Sequence, residues 1–451
     1  MERYIEPDVI LLFDTYSRES RMLHESFKMA GCGYPAVVLG EDTFLPDDVM
    51  SVYSLFLDGQ GGEGAGRTRP LYFNEVRVPD YWGIDDTGRI HCLQEKKGRI
   101  IYAEPVEKRF VKDVEWFDGN GVVRLSEHYN SKGKICARTS YDAKGKKINR
   151  AWFSEKGQEM IVENHVTGDI VLNGNDGETD GQKVFQSKKE FALYFMEKTG
   201  FSKNRIFFNT LSMSFFVSQK LEASGKKDVL FWQEPIGNEI PGNMQIILKG
   251  QANRATDIIV QKRDSFDKLL ALGARQDMLH RLGFIYPFRK ENKNRPEVLI
   301  CTNSDMIEHC DKMISSFPQM NFHIAALTMM SSRLMGMEAY DNVNLYPAIN
   351  MSVLENLFEI CDFYLDINHG SEVVSAVSKA FLYNQLIFAF EETVHAKEYV
   401  TSEHIYASDN VEAMIREIEK ITGNMDLLQM HLKKQHMYAM AESTETYQDI
   451  L

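Results

Sequence analysis

The sequence predicts an α/β protein with two Rossmann-like lobes and an antiparallel β-meander domain inserted in the first. Three observations predict it. Short apolar runs alternate with helical stripes near the start and again after residue 180. An aromatic–glycine pattern recurs every twelve residues between them. A second alternation then follows a charged hinge.

The first run, Val9–Asp14, reads as a buried strand. Leu23, Phe27 and Ala30 form a helical stripe, which Gly31 and Gly33 stop, and Val37–Leu39 is the next strand. The glycines at Gly59, Gly61 and Gly64 formally spell GxGxxG. The following Ala65-Gly66-Arg67-Thr68-Arg69-Pro70 opposes the helix a dinucleotide loop requires, so a connector is expected.

Phe117, Tyr129, Tyr141 and Phe153 are twelve apart, and Gly121, Gly133, Gly145 and Gly157 keep the same step. Such a unit holds one strand and one tight turn, too little for a crossover helix, so the units stack as a meander. Alternation puts Val123, Leu125 and Tyr129 on one face with Ile135, Ala137 and Tyr141. Arg124, His128 and Arg138 are expected to share the other. From Glu95 to Glu159 there are fifteen Lys or Arg against ten Asp or Glu, a net +5 in a chain of net charge −14. That contrast suggests a docking face built on Arg124, His128 and Arg138.

Phe185, Phe191, Phe195 and Met196 lie at helix spacing. Arg205–Phe208, Val229–Trp232 and Ile258–Val260 read as parallel strands. The polar run Pro287–Pro296 reads as a hinge. Beyond it, strands are expected at Val298–Cys301, Phe322–Ala325, Val343–Leu345, Phe363–Asp366 and Leu386–Phe390, with a helix over Val411–Ile421. The expected domains are 1–60 with 180–285, the inserted 68–175, and 286–451, whose last helix is free to pack on either lobe.

The 451 residues are 43% hydrophobic and 26% charged, ordinary values for a globular protein. The acidic balance argues against broad nucleic-acid binding. No secretory signal and no apolar run of 18 residues is visible, so a cytoplasmic location is expected, with peripheral contact at the inner face of the membrane left open. Six cysteines without a CxxC pair read as reduced thiols, and no metal site is expected. GxSxG, HExxH and GxxxxGK[ST] are absent.

Ligands of parallel sheets bind beyond the carboxyl ends of the strands. Two loops stand out there. The first carries Trp232, Gln233, Glu234, Gly242 and Asn243, groups suited to hydrogen-bonding an extended peptide or a sugar. The second, Asn368, His369, Gly370, Ser371 and Glu372, precedes a helix whose free amides would favour an acceptor-rich group.

Five stretches carry a resemblance: PLYFNEVRVPDYW (Pro70–Trp82), IYAEPVEKRFVKDVEWFDGNG (Ile101–Gly121), ENHVTGDIVLN (Glu163–Asn173), VLFWQEPIGNEIPGNMQ (Val229–Gln245) and CDFYLDINHGSE (Cys361–Glu372). Over nearly its whole length the chain resembles the GtfB-type glycosyltransferase-stabilising subunits of bacterial accessory Sec loci. The resemblance implies a GT-B-like fold and no cofactor of its own. It implies a homologous catalytic partner that binds UDP-N-acetylglucosamine, a 2:2 complex, and a serine-rich repeat adhesin as acceptor. It implies no catalytic residue in this chain. Catalytic relatives carry two glutamates eight apart at the donor helix. Glu372 matches the first, but Ala380 stands at the second, where a methyl cannot accept a hydrogen bond. Losing such a contact costs about 1.5–3 kcal/mol. Two other readings share the fold: an active retaining UDP-sugar glycosyltransferase and a purely structural stabiliser.

Overall fold

The computed structural model describes residues 8–57, 68–173, 182–223 and 225–449. The glycine-rich stretch 59–64 lies outside the described residues. The chain divides into two compact units, Met1–Arg281 and Leu282–Leu451.

The first unit holds a seven-stranded parallel sheet. Its spatial order is Leu279–Arg281, Ala255–Val260, Asp228–Trp232, Arg205–Phe208, Val9–Phe13, Ala36–Val38 and Val49–Ser51. Val9–Phe13 and Asp228–Trp232 are buried at every position, as strands covered on both faces require. The helix Arg18–Met29 turns Leu23 and Phe27 inward, and Ser17 caps it by accepting from the Ser20 amide. Beneath the sheet, Asp228 and Arg254 form a fully buried ion pair at 3.0 Å.

The same unit carries a ten-stranded antiparallel sheet running from Trp82–Ile84 to Lys183–Phe185 in chain order. Its repeated turns share one device: Asp118, Asn130 and Asp142 each accept from the amides two and four residues ahead, and the glycine ending each turn has positive φ. Phe185 ends the last strand of this sheet rather than opening a helix; the helix Lys188–Lys198 starts after a Ser187 cap.

The expected face assignment needs correction. Leu125 pairs with Ser140, Ser126 with Thr139, Glu127 with Arg138 and His128 with Ala137. Arg124 and His128 therefore share a face with Ala137 and Thr139, while Arg138 lies on the opposite face beside Glu127. A register shift between His128 and Tyr129 and the turn that follows change the parity that a twelve-residue step implies. His128 is buried, its imidazole bonded to Asp113 (2.6 Å) and Thr139 (2.8 Å). Its face continues through Trp152, Ile161 and Ile170 into the core of the parallel sheet. Arg124, His128 and Arg138 thus form no common surface.

The second unit is a six-stranded parallel sheet in the order Val343–Tyr346, Asn321–Ala326, Glu297–Thr302, Phe363–Asp366, Leu386–Phe390 and Ile405–Tyr406. Helices Val411–Ile421 and Met425–Tyr438 bury Met414, Ile418, Leu428 and Leu432 in its core. Asp362, fully buried, accepts from Lys290 at 2.7 Å and Arg295 at 2.8 Å, so the polar hinge residues end as an anchor below the sheet. Two Rossmann-like parallel sheets with an antiparallel insertion in the first unit make a GT-B-like fold.

Candidate functional site

In the first unit, four adjacent strands are each followed by a polar side chain: Asp14, Asn209, Gln233 and Gln261. Asn209 donates to Ser20 Oγ and Gln233 Oε1, both at 2.8 Å. Gln233 Nε2 donates to Gln261 Oε1 at 2.7 Å and to the Glu19 carbonyl at 3.0 Å. The Asp14 carboxylate accepts from the Met213 and Ser214 amides at 2.9 and 2.7 Å, closing the start of the helix Met213–Lys220. Gln233 is therefore a buried brace rather than a contact residue, and Trp232 is buried with it.

What this brace presents is the loop from Glu234. Glu234 is exposed, and its carbonyl accepts from Ser265 Oγ at 2.9 Å. Gly242 opens the helix Gly242–Leu248, and Asn243 donates to the Leu211 carbonyl at 2.9 Å, tying two strand-end loops together. The loop offers hydrogen-bonding groups and two exposed carboxylates, Glu234 and Glu239, a surface for an extended ligand rich in hydroxyl and amide donors.

In the second unit, Asn368 is buried; it accepts from Thr302 Oγ1 at 2.8 Å and donates to the Ser371 carbonyl at 3.2 Å. Asn303 Nδ2 donates to the Ser371 carbonyl and hydroxyl at 2.9 and 2.8 Å. Gly370 packs so closely that a Cβ there would lie 1.7 Å from Asn303 Oδ1. His369 is exposed and bonds Glu308 at 2.5 Å; the Ser408 hydroxyl donates to the same carboxylate. These two contacts hold the Glu308 carboxyl below its usual range.

Sequence reasoning missed His395. Its Nδ1 meets Asp366 Oδ1 at 2.6 Å, and its Nε2 donates to the Gly370 carbonyl at 2.7 Å. The Asp366 hydrogen bond pushes its pKa up to about 9, so a charged imidazolium pins the loop. The signal was absent because the partners lie 29 residues apart in sequence.

Glu372 and Ala380 differ in kind. Glu372 Oε1 accepts from the Val377 amide at 3.0 Å, so the carboxylate closes the start of the helix Ala376–Leu382. Ala380 is fully buried in the cluster of Leu299, Tyr364 and Ile387. At this position the small side chain packs in the core and offers no acceptor.

Among the described residues, two groups of three His, Asp or Glu converge closely enough for a metal: His24, Glu25 and Asp48, and Glu41, Glu163 and His165. Lys28 already bridges Glu25 and Asp48, and Arg150, Lys147 and Lys188 surround Glu41. Neither group suits a further cation.

Four family profiles match in chain order: the GtfB N-terminal domain over residues 10–56, the GtfB middle domain over 81–186, the GtfB third domain over 188–272 and the GftB/GlyA-F C-terminal domain over 298–435. The chain is 39% identical over 449 residues to the UDP-N-acetylglucosamine–peptide N-acetylglucosaminyltransferase stabilizing protein GtfB of Streptococcus gordonii, covering 98% of each. This chain belongs to the GtfB family. The stabilizing protein GtfB of Limosilactobacillus reuteri is 34% identical, with 98% of each covered. A chain in a crystal structure of a GtfA/B complex bound to UDP and GlcNAc superposes at TM-score 0.91 with 39% identity, covering 98% of this chain and 99% of that one. No helix among the described residues is long and apolar enough to cross a membrane.

Proposed function

We propose that this chain is the non-catalytic subunit of a protein O-glycosyltransferase complex. It stabilises a homologous catalytic subunit and holds the acceptor polypeptide, a serine-rich repeat adhesin, while N-acetylglucosamine is transferred to Ser or Thr. The observation that carries this reading is the similarity, spanning 98% of each chain, to stabilizing proteins of an N-acetylglucosaminyltransferase. In this reading UDP-N-acetylglucosamine sits on the partner, the assembly is a 2:2 complex, and it works in the cytoplasm, with peripheral contact to the membrane.

The two strand-end loops support a division of labour. The loop from Asn368 to Glu372 is tied by its own side chains to Asn303, Thr302 and His395, leaving its polar groups engaged. The edge built on Asn209, Gln233 and Gln261 presents a loop whose exposed Glu234 and Glu239 can accept from hydroxyls and amides. A serine-rich polypeptide lacks apolar area and pays an entropic cost on ordering. Modest hydrogen bonds per residue suit a substrate that must advance between transfers, and holding it near the partner raises its local concentration.

The test is binding by the chain purified alone. It should bind an unmodified serine-rich peptide and fail to capture UDP-N-acetylglucosamine, and the catalytic subunit should lose solubility or activity without it. Saturable UDP-sugar binding and transfer by the lone chain would establish an active transferase instead. A lone chain that ignores the peptide yet rescues the partner would reduce its role to a scaffold.

A further inference from the structure

The meander face that continues into the core of the parallel sheet buries polar side chains among its apolar ones: His128, Thr139 and Arg150. Burying such groups is costly unless each is bonded. Arg150 Nε donates to Thr139 Oγ1 at 2.8 Å. An arginine can only donate, so the Thr139 hydroxyl is left to donate to His128 Nε2 at 2.8 Å, and the ring N–H at Nδ1 faces Asp113 Oδ1 at 2.6 Å. Aspartate, histidine and threonine in this order match a nucleophilic triad. Thr139 is fully buried, however, and its oxygen already accepts from Arg150, so no substrate reaches it. What the line does is orient Arg150.

Arg150 reaches out of the meander to the parallel sheet. Its Nη1 donates to the Glu41 carbonyl at 3.1 Å and lies 2.9 Å from the Glu41 carboxylate. Lys188, which opens the helix after the meander, bonds the same carboxylate. Burial opposes the charge on Glu41, yet Arg150 and Lys188 hold its pKa down at about 2. Two ties flank this one: Lys112 Nζ meets Asp42 at 3.0 Å, and Thr43 Oγ1 donates to the Tyr129 carbonyl at 3.1 Å. All of them end on residues 41–43, in the loop beyond the strand Ala36–Val38 and beside Asp14 on the carboxyl edge. A Cβ at Gly40 would lie 2.5 Å from the Asp14 carbonyl oxygen, so that loop and the end of the first strand have no slack between them. Asp14 in turn holds the Met213 and Ser214 amides, and the Leu211 carbonyl holds Asn243 of the exposed loop.

We infer that Arg150 is a positioning residue: from inside the meander it sets the carboxyl edge of the seven-stranded sheet in the geometry that receives the acceptor. The inference rests on the acceptor reading of this edge for its purpose and on the hydrogen bonds for its geometry. It gives the inserted domain a part in acceptor binding although no meander residue stands on the edge itself.

The test combines amide NMR spectra of the full chain with its affinity for an unmodified serine-rich peptide. Thr139→Val keeps the shape of the side chain and removes the hydroxyl that orients Arg150. The Met213 and Ser214 amide proton peaks should then move upfield, as their bonds to the Asp14 carboxylate lengthen, while the peaks of the strand Ala255–Val260 in the same sheet stay in place. Peptide affinity should fall several-fold, the order of one hydrogen bond lost from the chain of contacts. Lower stability alone moves neither readout in a chain that is still folded. Thr139→Ser restores the hydroxyl and should restore both peaks and affinity. Arg150→Lys keeps the test open if the valine variant misfolds: it retains the charge but has no fork to span Thr139 and the Glu41 carbonyl, so it should act as Thr139→Val does. Unmoved Met213 and Ser214 peaks, peptide affinity equal to the parent's, or a serine variant no better than the valine one would overturn the inference. A parent chain that binds no peptide, with the two peaks still moving in the variants, would instead remove the acceptor reading and keep Arg150 as the residue that positions the edge.

Discussion

The carboxyl edges of the two parallel sheets are built from the same geometry and different chemistry. In the first unit the strands end in amides that brace one another, Asn209 to Gln233 to Gln261, and the exposed loop beyond carries two carboxylates, Glu234 and Glu239. In the second unit a charged histidine, His395, ties Asp366 to Gly370, and Asn303 ties Ser371. The difference teaches that a parallel-sheet edge is not a binding site by virtue of topology alone. One edge spends its polar groups behind the loop and leaves the loop to present itself. The other spends them on the loop.

Both edges stand on a buried carboxylate at the opposite end of the sheet, Asp228 in the first unit and Asp362 in the second. The largest expected effect comes from removing one such foundation. Arg254→Met leaves Asp228 buried without its guanidinium, which should cost about 3–5 kcal/mol. Removing both charges, Arg254→Met with Asp228→Leu, should restore much of this, read as the urea midpoint. Equal losses in single and double variants would mean the pair is not the foundation described.

Gly370→Ala attacks the tied edge alone. The new Cβ meets the Asn303 side chain, which can move aside only by breaking its hydrogen bonds to Ser371, so about 1–3 kcal/mol should be lost. If the first unit holds the acceptor as proposed, affinity for an unmodified serine-rich peptide should stay unchanged. A Gly370→Ala chain as stable as the parent would show that the edge is looser than the hydrogen bonds imply.

pH separates the tie from the core of the same unit. His395 has a raised folded pKa of about 9, so its contribution is present below about 6.5 and lost as pH rises through 9. His404 runs the other way. Burial, then the neighbouring His431, lowers its pKa to about 3, so its contribution is present above about 6.5 and lost as pH falls toward 3. Each limb has a ceiling of about 1.4 kcal/mol per pH unit. His395→Asn should flatten only the alkaline limb of stability against pH, and an alkaline limb that persists would remove His395 as its cause.

Much of this frame was legible in the sequence. Arg205–Phe208, Phe363–Asp366 and Leu386–Phe390 stand as read, because a strand covered on both faces is an unbroken apolar run. Val49–Ser51, Leu279–Arg281 and Ile405–Tyr406 went unseen; two or three residues at a sheet edge leave no period to detect. The meander's existence was visible and its parity was not, since a register shift of one residue at Tyr129 exchanges the faces. The candidate loops were found by their position after strands. What each loop does with its polar groups was hidden, because Gln233 and His395 are explained by partners far along the chain.

The smallest stability effect belongs to the residue most useful for the comparison. Glu234 is exposed on this edge, and its carbonyl, not its carboxylate, accepts from Ser265. Glu234→Ala should therefore shift stability by no more than about 0.5 kcal/mol. If the loop is what the first unit presents to a polypeptide, the affinity for an unmodified serine-rich peptide should still fall several-fold, because the carboxylate is an acceptor for serine hydroxyls. Gln233→Leu removes the brace behind the loop and should do the reverse: it leaves the Asn209 and Gln261 amides buried without their partner, and lowers stability before it changes contact chemistry. A Glu234→Ala chain that binds peptide as tightly as the parent, alongside a Gln233→Leu chain that loses binding at unchanged stability, would invert the assignment of brace and contact on this edge.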